Sequence, residues 1–382
     1  MIYFDNNATT RPVPDVISAM LPYLGDNYGN PSSAHAAGTQ PRNIVGQAKE
    51  AVAGLLGARS AEIAFTSGGT ESDNWAILGA LELFPDKNHI VTTRVEHEAV
   101  RKLCEKLERK NYRVTWLDVD EDGALDLEQL ERSLTAETAV VSIMMANNET
   151  GILFPISEIA DIVKRRSHAL FHVDGVNAAG KTAVELSGSG VDLFSISAHK
   201  FHGPKGVGAL YIREGIELPP MLIGGGQEKG RRSGTEAVHQ LAGIAAAAEY
   251  VKDLSEMERV RELRDRLENE ILYKIPNSRL NGTANPAKRL PNTSSISFEN
   301  INGEMLLARL DGIGICVSTG SACNSVGHIA SPVLQAMNIP YTYTMGSIRF
   351  SLGRLNTAEE VDVVLAELPG IVADLSRMAG QT

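Results

Sequence analysis

The stretch Val191–Gly206, "VDLFSISAHKFHGPKG", runs through an apolar segment of strand character and then sets Lys200 between two histidines, ahead of a glycine-flanked "GPKG" turn. In an open α/β sheet, functional side chains gather beyond the carboxyl ends of the strands, and a lysine placed this way fits that location. The flanking sequence has the same pattern. "EIAFTS", "HIVTTR", "YRVTWLDV", "TAVVSIMM", "ALFHVD", "LFSISA" and "GALYIR" read as short strands rich in β-branched residues. Between them lie stretches such as "ESDNWAILGALELF" and "EAVRKLCEKLERK", apolar at three- and four-residue spacing, as amphipathic helices are. From about residue 40 to 250 the alternation predicts an α/β domain with a mainly parallel sheet covered by helices.

Beyond Ser255 the order loosens. A charged helix, "EMERVRELRDRLENEIL", precedes the strands "SSISFEN" and "GICVST" and a last helix, "TAEEVDVVLAELPGIVADLS". With 382 residues the chain is too long for one compact core, so a large domain over 15–255 and a small α+β domain over 1–14 plus 256–382 are expected. The charge run Glu256 to Glu270 reads as a solvated helix face laced with i,i+4 pairs. Hydrophobic content of 43% with 22% charged residues describes an ordinary globular protein. A net charge of −11 argues against direct grip on nucleic acid or an anionic membrane. No signal-like amino terminus or bilayer-length apolar run is present, so a cytoplasmic protein is expected. Three cysteines, Cys104, Cys316 and Cys323, lack metal-ligand spacing, which points away from zinc and from a disulfide framework.

Polar residues recur at the ends of the other strands. "TSGGTES" puts Gly68, Gly69, Thr70 and Ser72 at a helix start, where free amides and hydroxyls suit a phosphate or simply cap the helix. The run "GGGQ", Gly224 to Gln227, follows no clear strand and reads as a flexible connection. Asn147 and Asn148 follow one strand, Asp174 ends another, and His97 follows a third. A lysine for a Schiff base, an acid for a pyridine nitrogen and an anion cradle together match pyridoxal 5′-phosphate, PLP.

The chain resembles the NifS/IscS-type cysteine desulfurases, class V enzymes of the PLP-dependent transferase fold type I. The resemblance rests on "YFDNNATT", "NYGNPSSAH", "FTSGGTESD", "VEHEAV", "ANNETG", "HVD", "SAHKFHGPKGVG", "GRRSGTE", "STGSAC" and "IRFSLGR", in that order along nearly the whole chain. It implies that Lys200 forms the Schiff base, Asp174 pairs with the pyridine nitrogen and His97 stacks on the ring. Asn148 and Asn177 would contact the phenolic oxygen; Gly69, Thr70, Ser197 and His199 would hold the phosphate, with Thr235 reaching across from a second subunit of a homodimer. Arg349 would bind the substrate carboxylate, and His202 is left structural. The family usually has glutamine where this chain has Asn177, and an acidic residue with "PSHV" where it has "GHIASPV".

Cys323, set among glycines and serines in "STGSACNSVGHIASP", is the residue that selects the reaction, whereas Cys104 and Cys316 fit small buried hydrophobes. The resemblance implies conversion of L-cysteine to L-alanine with a persulfide on Cys323, handed to an acceptor protein in iron–sulfur cluster assembly or another thiolation. Two alternatives stand: another PLP reaction on this fold, such as selenocysteine lysis or transamination, the latter needing no Cys323; and a non-catalytic scaffold, which would need none of Lys200, Asp174 and Cys323.

Overall fold

The computed structural model describes residues 1–319 and 330–379. Thirteen strands occur among the described residues. They are β1 (Ile2–Tyr3), β2 (Ile63–Thr66), β3 (His89–Thr93), β4 (Arg113–Leu117), β5 (Thr138–Met144), β6 (Leu170–Asp174), β7 (Leu193–Ser197), β8 (Gly208–Ile212), β9 (Ser278–Leu280), β10 (Thr293–Phe298), β11 (Ile315–Cys316), β12 (Ser318–Thr319) and β13 (Ser347–Ser351). Seven of them form the main sheet in the order β2-β8-β7-β6-β5-β3-β4. All run parallel except β8, which is antiparallel to both of its neighbours. All seven are the segments read from sequence as strands.

This sheet is buried on both faces, which explains its nearly continuous apolar strands. Successive residues point to opposite sides: Ile90 joins a core cluster with Trp75 and Ile77 of α3 (Gly69–Leu83) and Leu103 of α4 (Glu98–Glu108). Val91 joins the cluster on the other face, with Val52 and Leu56 of α2 (Thr39–Leu56). The crossovers are right for a doubly covered sheet, and they bring the loops after β2, β3, β5, β6 and β7 to one edge.

A second core cluster surrounds the four-stranded sheet β12-β13-β10-β9 and includes Phe4 from the start of the chain. The segment "GICVST" forms two strands in place of the single one expected. Ile315–Cys316 pairs in parallel with β1, and Ser318–Thr319 pairs antiparallel with β13. The charge run also departs from expectation. Its helix, Glu256–Lys274, buries Arg264 and Glu268, and Glu268 takes an ion pair from the buried Arg289 at 2.5 Å. Most pairs on its solvated side are i,i+3, such as Arg259–Glu256, with Lys274–Glu270 at i,i+4. The glycine run ahead of Gln227 is exposed, but the chain just after it is pinned, because buried Glu228 bonds Lys49 at 2.6 Å. No helix among the described residues is long and apolar enough to cross a membrane.

Asp174 at the end of β6 is followed by Gly175, whose place is dictated by β7. A Cβ there would stand 1.9 Å from Phe194 Cζ, and Phe194 is a core residue at 1% exposure. Gly175→Ala therefore forces Phe194 or the β6 terminus to move, and an overpacked core of this kind costs about 1–3 kcal/mol. Urea denaturation should show the midpoint falling by that amount with the slope unchanged.

Candidate active site at the strand ends

One pocket at the carboxyl edge of the sheet is lined by Gly69, Thr70, Asp73, His97, Asn148, Asp174, Asn177, Ser197, His199 and Lys200, with Met144, Ala146 and Val176 supplying apolar wall. Nine of these side chains or backbones are site residues expected from sequence, drawn from five separate strand ends. The topology brings them together; no two strands involved are joined by a tight turn.

Lys200 closes a single 3-10 turn after β7. Its Nζ donates to the Asn7 carbonyl at 2.5 Å and the Ala8 carbonyl at 3.1 Å. Burial, helped by the nearby Arg349 guanidinium, pushes its pKa down to about 8 against the opposing pull of Asp174 and Asp5. The amine therefore gives up its proton far more readily than an ordinary lysine, although the ammonium still predominates at neutral pH. Asp174 is 5% exposed and its Oδ1 accepts a bond from the Val176 amide at 2.9 Å. Burial, and then the neighbouring Asp73 carboxylate, raise its pKa to about 6. His97 is the N-cap of α4; its Nδ1 accepts from the Ala99 amide at 3.2 Å, so its proton sits on Nε2. Although the ring keeps an exposed face, desolvation by the surrounding atoms holds its pKa below the usual histidine value, Asp174 opposing and Lys200 adding.

The helix α3 begins at Gly69 with no side-chain cap, so its first amides are left to an anion. Glu71 turns away from that end: it accepts from the Ser67 amide and pairs with Arg232 at 2.9 Å. Glycine is required at 69, since a Cβ would stand 2.6 Å from Val176 Cγ2. Ser197 closes β7 beside this end, and His199 Nδ1 lies 3.2 Å from Thr9 Oγ1. Burial and the Lys200 charge push the His199 pKa down to about 4, so its ring is neutral and can share a proton with Thr9 or an anion.

Arg349, in the middle of β13, stands just behind the pocket wall. Its Nη1 donates to the Asn148 carbonyl at 3.0 Å and its Nη2 to Asp5 Oδ1 at 2.7 Å, while its buried Nε has no hydrogen-bond partner among the described residues. Thr235 is exposed and does not line this pocket within the one chain. Cys323 lies outside the described residues.

Three residues of the site were not singled out from sequence. Asp73, one helical turn beyond Gly69, is buried, and burial raises its pKa to about 7. Its Oδ1 lies 3.5 Å from His172 Nε2, but burial pushes His172 down to about 4 and its ring bonds Ser142 and Ser195, so the pair is not ionic. Asn7 bridges the pocket to the smaller sheet, its amide donating to Thr293 Oγ1 at 2.8 Å and to the Asn148 carbonyl at 3.2 Å. Lys181 bonds Asn177 and Asn7 from beneath. The i,i+3 and i,i+4 spacing of Asp73 and Lys181 from expected site residues was the available signal; for Asn7 only the "FDNNATT" resemblance offered one.

Comparison with known proteins agrees with this geometry. The family described as aminotransferase class-V matches residues 2–364. A cysteine desulfurase of Nostoc sp. is 51% identical over 99% of this chain and 94% of its own. The cysteine desulfurase NifS of Azotobacter vinelandii is 47% identical over the same shares, 99% and 94%. Among solved structures, a NifS-like protein superposes with a TM-score of 0.92 at 40% identity, covering 98% of this chain and 100% of the other. SspA in complex with cysteine superposes at 0.82 with 30% identity, covering 94% and 100%. With that match running almost end to end and relatives of this identity aligned over their whole length, the chain belongs to the aminotransferase class-V family and groups within it with the cysteine desulfurases.

Proposed function

We propose that the protein is a PLP-dependent L-cysteine desulfurase that yields L-alanine and a persulfide on Cys323. The observation that carries the reading is the convergence of Lys200, Asp174 and the uncapped start of α3 on one pocket. The residues suit PLP. The buried Asp174 carboxylate, raised to about 6, gains from a cationic partner such as a protonated pyridine nitrogen. The open end of α3, with Gly69, Thr70, Ser197 and His199, suits a phosphate, and Lys200, which is deprotonated more readily than an ordinary lysine, suits a carbonyl carbon. His97 would lie against the ring, and Asn148 and Asn177 toward its phenolic oxygen.

When bound, PLP supplies an electron sink for the substrate carbon next to the carboxylate. The chain's own residues do the rest. Lys200 Nζ, poised near pH 8, takes the Cα proton, and Asp174 keeps the pyridine nitrogen protonated. Arg349 binds the substrate carboxylate by exchanging its Asp5 partner for it, so binding breaks one ion pair as it makes another. The Cys323 thiolate attacks the substrate sulfur: an S–S bond forms, the C–S bond breaks, and its electron pair leaves with the carbon that becomes alanine's methyl. The sulfur passes onward to an acceptor protein, as in iron–sulfur cluster assembly or another thiolation. The division at 15–255 and 1–14 plus 256–382 belongs to this reading; a separate core cluster that joins Phe4 to residues from Met257 onward supports it, while Val13 and Val333, Leu334, Met337 and Ile339 pack with the large sheet across that division.

A homodimer belongs to it as well. On helix α1 (Pro14–Leu24), Ile17, Leu21 and Leu24 are 50%, 59% and 61% exposed at i, i+4 and i+7, and Ile223, just ahead of the glycine run, is 89% exposed. A second copy would cover such a stripe and bring Thr235 to the partner's phosphate.

Three expectations follow. Cys323→Ala retains the visible absorbance of bound PLP but loses the persulfide and nearly all alanine from L-cysteine, measured by mass spectrometry and amino-acid analysis. Cys104→Ala and Cys316→Ala keep both. Because the Lys200 ammonium is destabilised, its neutral fraction grows as pH rises through about 8. Uptake of PLP by cofactor-free protein, followed by its visible band, should accordingly rise several-fold between about pH 6.5 and 7.5 and level off above about 8.5. Arg349→Ala removes a cation that depresses this amine, so it shifts that curve to higher pH. Finally, sedimentation should give a dimer that Leu21→Asp drives toward monomer, and Thr235→Ala should weaken PLP retention although Thr235 stands outside its own chain's pocket.

A further inference from the structure

Lys181 follows Asn177 by four residues in the turn beyond β6, and its side chain is 7% exposed. Its Nζ donates to Asn177 Oδ1 at 2.7 Å, to the Asn177 carbonyl at 3.1 Å and to Asn7 Oδ1 at 3.2 Å. No carboxylate bonds it among the described residues. Burial drives its pKa well below the ordinary lysine value, and the charges of Lys200 and Arg349 press the same way. A methionine or leucine would fill this space without desolvating an amine, so packing alone does not account for a lysine here. The three oxygens match the three N–H bonds of an ammonium, and a neutral amine would still donate to Asn177 Oδ1.

We infer that Lys181 is a positioning residue: it locks the Asn177 amide with the oxygen held outside the pocket and the NH2 group presented to the phenolic oxygen of bound PLP. The inference rests on reading this pocket as a PLP site. The reverse orientation of the amide would set N–H against the N–H of the ammonium at 2.7 Å and Oδ1 against the Asn147 carbonyl oxygen, so the partners on both sides of the amide decide it. Asn177 Nδ2 then reaches only the Asn147 carbonyl, at 3.4 Å, near the limit of a useful bond, which leaves donor capacity for a ligand. Lys181 meets Lys200 at one residue: Asn7 receives Lys181 on its side-chain oxygen and Lys200 on its carbonyl. The charged and titratable groups facing this region are Lys200, Arg349, His202 and Arg354 around Lys181, and Asp73, Asp174, His97 and His199 around the pocket.

The phenolic oxygen carries more negative charge when the nitrogen joined to Lys200 is deprotonated, so a fixed donor favours the deprotonated form. Losing the donor moves the visible pH transition of bound PLP upward. In the reconstituted holoprotein, Lys181→Met should raise its midpoint by about half to one pH unit. Lys181→Gln, with two donors and no charge, should raise it by less. In an Asn177→Ala background, Lys181→Met should add almost nothing, which a direct charge effect or general loosening would not reproduce. Thermal unfolding identifies the variants that retain the fold; should the methionine variant not fold, the glutamine one carries the same comparison, with and without Asn177→Ala. Titrations superimposable on wild type in a folded Lys181 variant would overturn the inference, as would an undiminished shift in the Asn177→Ala background. A wild-type protein that binds no PLP and shows no visible band would overturn the functional reading along with it.

Discussion

The site depends on burying a carboxylate at the end of β6. Asp174 is almost wholly withdrawn from water, and two more acids, Asp73 and Glu96, are buried close enough to disfavour its charge and one another's. Glu96 is neutralised by its surroundings: burial raises it well above the usual glutamate value, while Thr93 and the Met144 amide supply its bonds. Of the three, Asp174 keeps the most favourable terms for ionisation, a backbone amide and the His97 ring beside it, and faces the pocket. With its neighbours held toward their neutral forms, Asp174 is the acid whose charge a cation in the pocket would stabilise.

The second constraint is the amino-terminal segment. Asp5, Asn7 and Thr10 are not part of the main sheet, yet each ties a site residue. Asp5 holds Arg349, Asn7 holds both lysines, and Thr10 bonds the His199 carbonyl at 2.8 Å. The same segment enters the smaller sheet's core through Phe4 and bonds Ser351 on β13 through the Asn7 amide. Lys200 and Arg349 are thus both tied to a segment that packs into the smaller sheet, so packing remote from the pocket sets where these two side chains stand.

How much of this was legible in the sequence follows from what kind of physics carries each part. The seven strands were legible because a sheet covered on both faces demands apolar, β-branched runs, and those runs stand out between helices of period 3.6. The pocket residues at the strand ends were legible for the same reason, since a strand's end fixes where its last side chains go. The split of "GICVST" was not, because two residues pair with β1 and two with β13, and a short run carries no record of its partners. Nor were the roles of Arg264 and Glu268, whose burial depends on Arg289 and Ser294 from elsewhere in the chain. Asn7 and Lys181 lie in the same class: each is one polar residue in a loop, and only the fold brings its partners within 3.2 Å.

The cysteines complete the argument, because a sulfur acceptor must be a thiolate. Cys104 is fully buried on α4, with burial and the acids Glu96, Glu108 and Glu105 all holding its proton on, well above the usual thiol value. Cys316 is half-buried in β11, and burial with Asp311 and Asp5 raises its pKa too. Both described thiols are therefore kept protonated by surroundings that are acidic, in a chain whose net charge is −11. Neither lines the pocket. This supports assigning the nucleophile to Cys323, whose neighbours in sequence are glycine, serine, alanine and asparagine and bring no carboxylate beside it.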